Sequence, residues 1–183
     1  MCGIVGLVSK RGQQQSSLEF ITVGLSALAH TGPDASGSQT WSVAGNSLEV
    51  GHCRPAVIGG GSVGSQPMRR GSLSITFNGK IYNFQDLAEN ELGLSKQSFQ
   101  IDTELLLALW EALGTSCVEK FRGIFAFALI DDSKKKLYLV RDSFGVKPLN
   151  YRFDGIELSF SSEPGLLASR ASSPSPDLGS AAN

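Results

Sequence analysis

A cysteine stands directly behind the initiating methionine, in Met1-Cys2-Gly3-Ile4. Methionine is generally removed when the next residue is small. Removal leaves Cys2 with a thiol and a free α-amine on one residue. That amine titrates near ~7.7–8.0, so much of it is a neutral base at cellular pH. A thiol beside a base is an activated nucleophile, and terminal residues can supply their own amine for the purpose. The competing reading is a small apolar residue at the start of a strand.

Four other elements can serve such a nucleophile. Asn78-Gly79 follows an alternating segment and reads first as a hairpin turn. The competing reading is an oxyanion hole, with the Asn78 amide and the Gly79 N–H donating to a developing negative oxygen. Each such donor is worth roughly 3 kcal/mol in a buried site. Arg54 is either a surface arginine or a bidentate clamp on a carboxylate. Asp102 is either a helix N-cap or the partner of a substrate ammonium. Arg141-Asp142, followed by Phe144-Gly145-Val146-Lys147-Pro148, is the fourth, and by itself it reads as a charged turn between strands. His52 adjoins Cys53, but neighbours on a strand point to opposite faces, which disfavours a Cys/His dyad.

These groups must be held by a fold, and composition bounds it. The 183 residues carry a net charge of -1 and suit one domain with a real core. No run of basic residues is longer than Lys134-Lys135-Lys136, which reads as a solvated turn, so neither nucleic acid nor a membrane surface is an expected partner. No secretory signal or transmembrane-length apolar run is visible. Three cysteines without a CxxC pair, and two histidines, argue for a reducing, cytoplasmic compartment and against a disulfide framework or a metal site.

Periodicity supplies the elements. Residues 4–8 suit a buried strand. Leu18, Ile21, Leu25 and Leu28 mark an amphipathic helix that Ser16 or Ser17 can cap. Several short strands are expected over residues 40–79, the last alternating over 72–77. Helices are expected at 84–91, 102–113 and 116–121. Residues 124–130 are apolar throughout, so that strand must be covered on both faces, and it pairs with 137–140 across a turn at 132–136. Strands at 149–153 and 157–161 and a helical turn at 163–168 follow. Residues 169–183 are rich in Ser, Pro and Ala and read as a disordered tail or linker stub. The sum is a layered α+β sandwich of antiparallel sheets covered by helices.

The ordered wording of the segments is more specific than any one of them. Met-Cys-Gly-Ile, Gly-Pro-Asp at 32–34, Gly-His-x-Arg at 51–54, Gln-Pro-Met at 66–68 and Asn-Gly-x-Ile-Tyr-Asn at 78–83 come first. Asp-Thr-Glu at 102–104, Gly-x-Phe-Ala-Phe-Ala at 123–128 and Arg-Asp-x-Phe-Gly-x-Lys-Pro-Leu at 141–149 complete the set. Together they resemble the class II glutamine amidotransferases, and specifically the N-terminal glutaminase domain of asparagine synthetases, over residues 2–168. The resemblance implies a four-layer αββα N-terminal-nucleophile hydrolase sandwich with two stacked antiparallel sheets. It implies Cys2 as nucleophile, Asn78 and Gly79 as oxyanion hole, Arg54 on the glutamine α-carboxylate and Asp102 on its α-ammonium. Val57 and Ile58 fall where family backbone groups line the pocket. The implied reaction releases glutamate and ammonia through a Cys2 γ-glutamyl thioester, with no cofactor. ATP and magnesium belong only to an ammonia-accepting synthetase domain or subunit, which is the expected partner. A homodimer is left open.

The chain departs from the family pattern at four places. Thr31 replaces a usual arginine, Cys53 a frequent basic residue and Pro55 a frequent leucine. Lys80 stands where asparagine synthetases usually carry glutamate, near the substrate's ammonium. Two positive charges ~4 Å apart repel by up to ~4 kcal/mol at an effective dielectric of ~20, and by far less if Lys80 turns to solvent. Weakened glutamine affinity with retained chemistry is the expectation. The alternatives are a weakened or inactive glutamine-binding regulatory domain, and a hydrolase of another γ-glutamyl amide.

Overall fold

The structure, a computed structural model, describes residues 2–10, 14–43, 45–55, 64–168 and 170. In chain order its first elements are β1 (Gly3–Lys10), α1 (Gln14–Leu28), β2 (Ala35–Val43), β3 (Asn46–Arg54), β4 (Met68–Arg70) and β5 (Leu73–Ile81). Then come α2 (Phe84–Leu92), α3 (Asp102–Leu113), β6 (Gly123–Asp131), β7 (Lys136–Arg141), β8 (Asn150–Phe153), β9 (Leu158–Ser161) and α4 (Pro164–Ala168). One sheet has the order β2-β3-β1-β9-β8 and the other β4-β5-β6-β7. Every pairing of named strands is antiparallel.

The apolar β6 explains the layering. Its side chains alternate between faces. Phe125, Phe127 and Leu129 pack with Leu105, Leu109 and Trp110 of α3. Ala128 and Ile130 face the other way and meet Ile4, Leu48, Val50 and Phe160 of the five-stranded sheet. On the far side of that sheet, Val5 and Leu7 pack under Phe20, Ile21 and Leu28 of α1, joined by Leu167 of α4. The result is helix, sheet, sheet, helix, as the resemblance implies. No helix among the described residues is long and apolar enough to cross a membrane.

Several local expectations change. Of the strands within 35–81, β2, β3 and β5 run for 9 residues each and are longer than expected, whereas β4 is short, at 3. β5 runs through Asn78-Gly79 to Ile81, so the hairpin reading of that dipeptide fails: both residues sit in register with Ala126 and Phe125 of β6. Helix α1 begins at Gln14, which places Ser16 and Ser17 inside it. The Ser17 hydroxyl shares a 2.8 Å hydrogen bond with that of Ser9. The expected turn after β6 is present, and the Asp131 carboxylate accepts the N–H of both Ser133 and Lys134. Of residues 169–183, where the tail was expected, only Arg170 is described, and it pairs with Glu157 and lies over the Phe20 ring.

Candidate active site

Cys2 immediately precedes β1, which lies between β3 and β9 in its sheet. The strand start is tightly fixed. The Ile4 N–H donates to Ser162 Oγ at 3.0 Å, and the Ser162 N–H donates back to the Ile4 carbonyl at 2.8 Å. Gly3 admits no side chain, because a Cβ would fall 2.6 Å from Thr31 Oγ1 and 2.9 Å from Leu28 Cβ. Thr31 thus packs behind Gly3, its hydroxyl donating to the Leu28 carbonyl at 2.7 Å, and is not a wall of the cavity described below.

Arg54 ends β3, one residue beyond the Gly3–Cys53 pair. Its carbonyl accepts the Asp34 N–H at 3.2 Å. A Cβ on Gly32 would fall 2.5 Å from the Arg54 nitrogen, so the Gly-Pro-Asp segment can lie flat against Arg54 only with glycine there. Cys53 points to α1, with Sγ 3.4 Å from the Leu25 carbonyl. His52 points between the sheets, with Nε2 donating to the Phe77 carbonyl at 3.2 Å. The two neighbours face opposite ways, as strand geometry requires. Burial drives the His52 pKa down to about 4, leaving a neutral ring that is no part of the cavity.

Asn78 and Gly79 come from the other sheet. Gln66 Oε1 accepts the Phe77 N–H at 2.5 Å and steadies β5 just before them. Gly79 has φ +152, and a Cβ there would fall 2.2 Å from the Ile124 carbonyl. Only glycine fits that close approach of β5 to β6.

Asp102 is the first residue of α3, with Ile101 at the N-cap position, so the capping reading fails. Its Oδ2 instead accepts the Ile81 N–H at 2.9 Å. Lys80 Nζ lies 3.5 Å from the same oxygen and 5.1 Å from the centre of the Phe84 ring. Lys80 therefore has not turned away to solvent: it is paired with the carboxylate that the resemblance puts on a substrate ammonium.

Cys2, Arg54, Asn78, Gly79, Lys80 and Asp102 line one cavity of about 360 Å³, a volume suited to a small ligand. Pro55 also lines it. Val57 and Ile58 lie outside the described residues. A larger cavity of about 460 Å³ opens beside Met68, Phe99 and Glu104 and contains none of the candidate groups.

Lys147 lines the site as well and was not singled out from the sequence. Its position follows from Asp142, whose carboxylate accepts N–H bonds from Phe125 (3.2 Å), Phe144 (3.2 Å), Val146 (3.0 Å) and Lys147 (3.0 Å). Burial pushes the Asp142 pKa up, but these donors outweigh it and hold the pKa below the ordinary value. Gly145, at φ +62, closes the loop. The signal was the Asp-x-Phe-Gly-x-Lys spacing, which wraps a carboxylate and leaves the lysine pointing on.

Burial pushes the Cys2 thiol above its ordinary pKa, and Asp102 adds to this, while Lys147 and Arg54 pull it down. A thiol in that state needs a base at the moment of attack. No histidine is among the described residues lining the cavity, and no group of three or more His, Cys, Asp or Glu is placed to hold a metal among the described residues.

A family described as "Glutamine amidotransferase domain" matches residues 1–179. A Methanocaldococcus jannaschii protein carrying an asparagine synthetase (glutamine-hydrolysing) name is 35% identical over 92% of this chain and 35% of its own length. Asparagine synthetase (glutamine-hydrolysing) 3 of Bacillus subtilis is 34% identical over 89% of this chain and 26% of its own length. The chain therefore spans about a quarter to a third of these relatives. Among solved structures, the glutamine phosphoribosylpyrophosphate amidotransferase of B. subtilis matches with a TM-score of 0.69 at 20% identity, covering 91% of this chain and 43% of its own.

Proposed function

Because this chain belongs to the class II glutamine amidotransferases, we propose that it hydrolyses the side-chain amide of glutamine and that Cys2, once Met1 is removed, is the nucleophile. The observation that carries the reading is the convergence of Cys2, Arg54, Asn78, Gly79 and Asp102 on one cavity from two sheets and a helix. The Arg54 guanidinium clamps the α-carboxylate, Asp102 receives the α-ammonium, and the amide is held against Cys2 Sγ.

The α-amine of Cys2 takes the Sγ proton as sulfur attacks the amide carbon. The C=O electrons move onto oxygen, where the Asn78 side-chain amide and the Gly79 N–H stabilise the charge. Collapse of this intermediate expels the nitrogen, which takes the proton back from the α-ammonium and leaves as ammonia. Water, deprotonated by the same amine, then attacks the γ-glutamyl thioester. The second intermediate expels the Cys2 thiolate, which is reprotonated, and glutamate is released. The need for the amine follows from the raised thiol pKa, which leaves little thiolate at rest.

Residues 2–168 form the glutaminase domain in this reading, with 169–183 a tail or linker. Ammonia passes to an asparagine-synthetase-like acceptor, in the same longer protein or on a partner subunit, and ATP and magnesium act only there. A cytoplasmic location suits an N-terminal thiol. The test is release of glutamate from glutamine by purified protein beside Cys2→Ala. Release no greater than that of the variant sinks the reading, and so does a mass spectrum in which Met1 is retained. A second reading, a glutamine-binding domain with weak or no turnover, is favoured by one observation: Lys80 already occupies Asp102.

A further inference from the structure

The cavity wall holds an unusual balance of charge. Among its described residues are three cations, Arg54, Lys80 and Lys147, and one carboxylate, Asp102. Asp102 is nearly closed off, its side chain only 8% exposed, whereas that of Lys80 is 42% exposed. The lysine is nevertheless held, between the Asp102 oxygen at 3.5 Å and the Phe84 ring at 5.1 Å.

A buried carboxylate built to receive an ammonium normally enforces its presence. A ligand lacking the ammonium leaves the carboxylate closed off and unpaired, and such sites reject it by about 10⁴-fold or more. Here the chain carries its own cation at that point. We propose that Lys80 stands in for the substrate's ammonium at Asp102, so that the pocket admits γ-carboxamides whether or not their α-carbon bears a free ammonium.

The proposal rests on the amidotransferase reading and deepens it into a substrate class. With glutamine bound, the flexible lysine stem swings off Asp102 and keeps the Phe84 face as a resting place. With glutaramate, which is glutamine without its α-amino group, Lys80 stays. Asp102 then remains paired, and Arg54 still meets the ligand's carboxylate.

The test is isothermal titration of the full chain carrying Cys2→Ala, with glutamine and with glutaramate, repeated with Lys80→Met and Lys80→Gln added. The Kd values for the two ligands are expected to lie within about tenfold of each other when Lys80 is present. With Lys80 replaced, glutamine should bind more tightly and glutaramate more weakly, opening the gap to about 100-fold or more. Circular dichroism shows whether each variant is folded, and the two replacements guard against failure of one. The proposal is overturned if glutaramate binds ~10³-fold more weakly than glutamine with Lys80 in place, or if replacing Lys80 leaves the ratio unchanged. Glutamine hydrolysis by the Cys2 protein without glutaramate binding sinks this inference alone. Absence of binding by either ligand sinks the glutamine reading with it.

Discussion

Ile81 donates its backbone N–H to Oδ2 of Asp102 across 2.9 Å, tying the end of β5 to the first turn of α3. The carboxylate proposed to read the substrate is thus also a structural acceptor for the strand carrying Asn78 and Gly79. The two duties can be separated. Asp102→Asn keeps an oxygen for Ile81 but removes the charge. It should unfold near the wild-type urea midpoint while KM for glutamine rises about tenfold or more, as expected for a lost charged contact. Asp102→Ala leaves the Ile81 N–H buried without an acceptor and should cost about 1–3 kcal/mol in the same unfolding assay.

Gly79→Ala meets two obstacles, a φ of +152 and a carbonyl 2.2 Å from the new Cβ. A loss of about 3 kcal/mol, at the upper end for overpacking, is expected. Thermal unfolding measures it, and glutamate release should vanish because the Gly79 N–H can no longer hold its place.

The charges around Cys2 make a prediction with a sign. Lys147 and Arg54 lower the thiol pKa and Asp102 raises it. Lys147→Met should therefore move the pH onset of iodoacetamide alkylation at Cys2 upward, and Asp102→Asn should move it downward. Cys53 and Cys117 are buried and should contribute little to the signal. An onset that ignores both substitutions would contradict the electrostatic account. Asp142→Ala should mimic Lys147→Met while also lowering stability, because it removes the acceptor that seats the lysine.

His52 makes stability depend on pH. Its folded pKa, about 4, lies below the ordinary 6.5, so the unfolded chain binds more protons between these values. The contribution is complete above pH 6.5 and is lost as pH falls toward 4, amounting to roughly 3 kcal/mol. Urea midpoints at pH 7 and pH 4.5 should differ accordingly, and His52→Gln should flatten the difference.

Much of this was readable in the residues, for physical reasons. An apolar run at 124–130 needs cover on both faces, which implies two layers beyond the strand itself. Opposite faces for His52 and Cys53 follow from strand pleating alone. What failed depended on tertiary partners. Asn78-Gly79 has the local preference of a turn, but pairing with Phe125 and Ala126 carries it on as strand. Asp102 has the preference of a cap, but Ile81 claims its oxygen instead. Lys147 was hidden because its place is set by Asp142, five residues earlier, and not by periodicity. No single-sequence pattern brings Lys80 to Asp102, since 22 positions, including all of α2, separate them.

The proposed nucleophile precedes a strand of one sheet, and its proposed oxyanion donors lie on a strand of the other. The spacing between them is therefore set by the filling between the sheets, by side chains such as Ile4, Ala128, Ile130 and Phe160. The sandwich acts as a vice whose jaw gap is fixed by its hydrocarbon spacers. Reacting groups displaced by about 1 Å can lose 10²-fold in rate, so turnover should be a finer gauge of that gap than melting temperature. Ile130→Val, which shaves one methyl from a buried spacer outside the cavity lining, should cost only about 0.5–1.5 kcal/mol of stability and yet lower kcat.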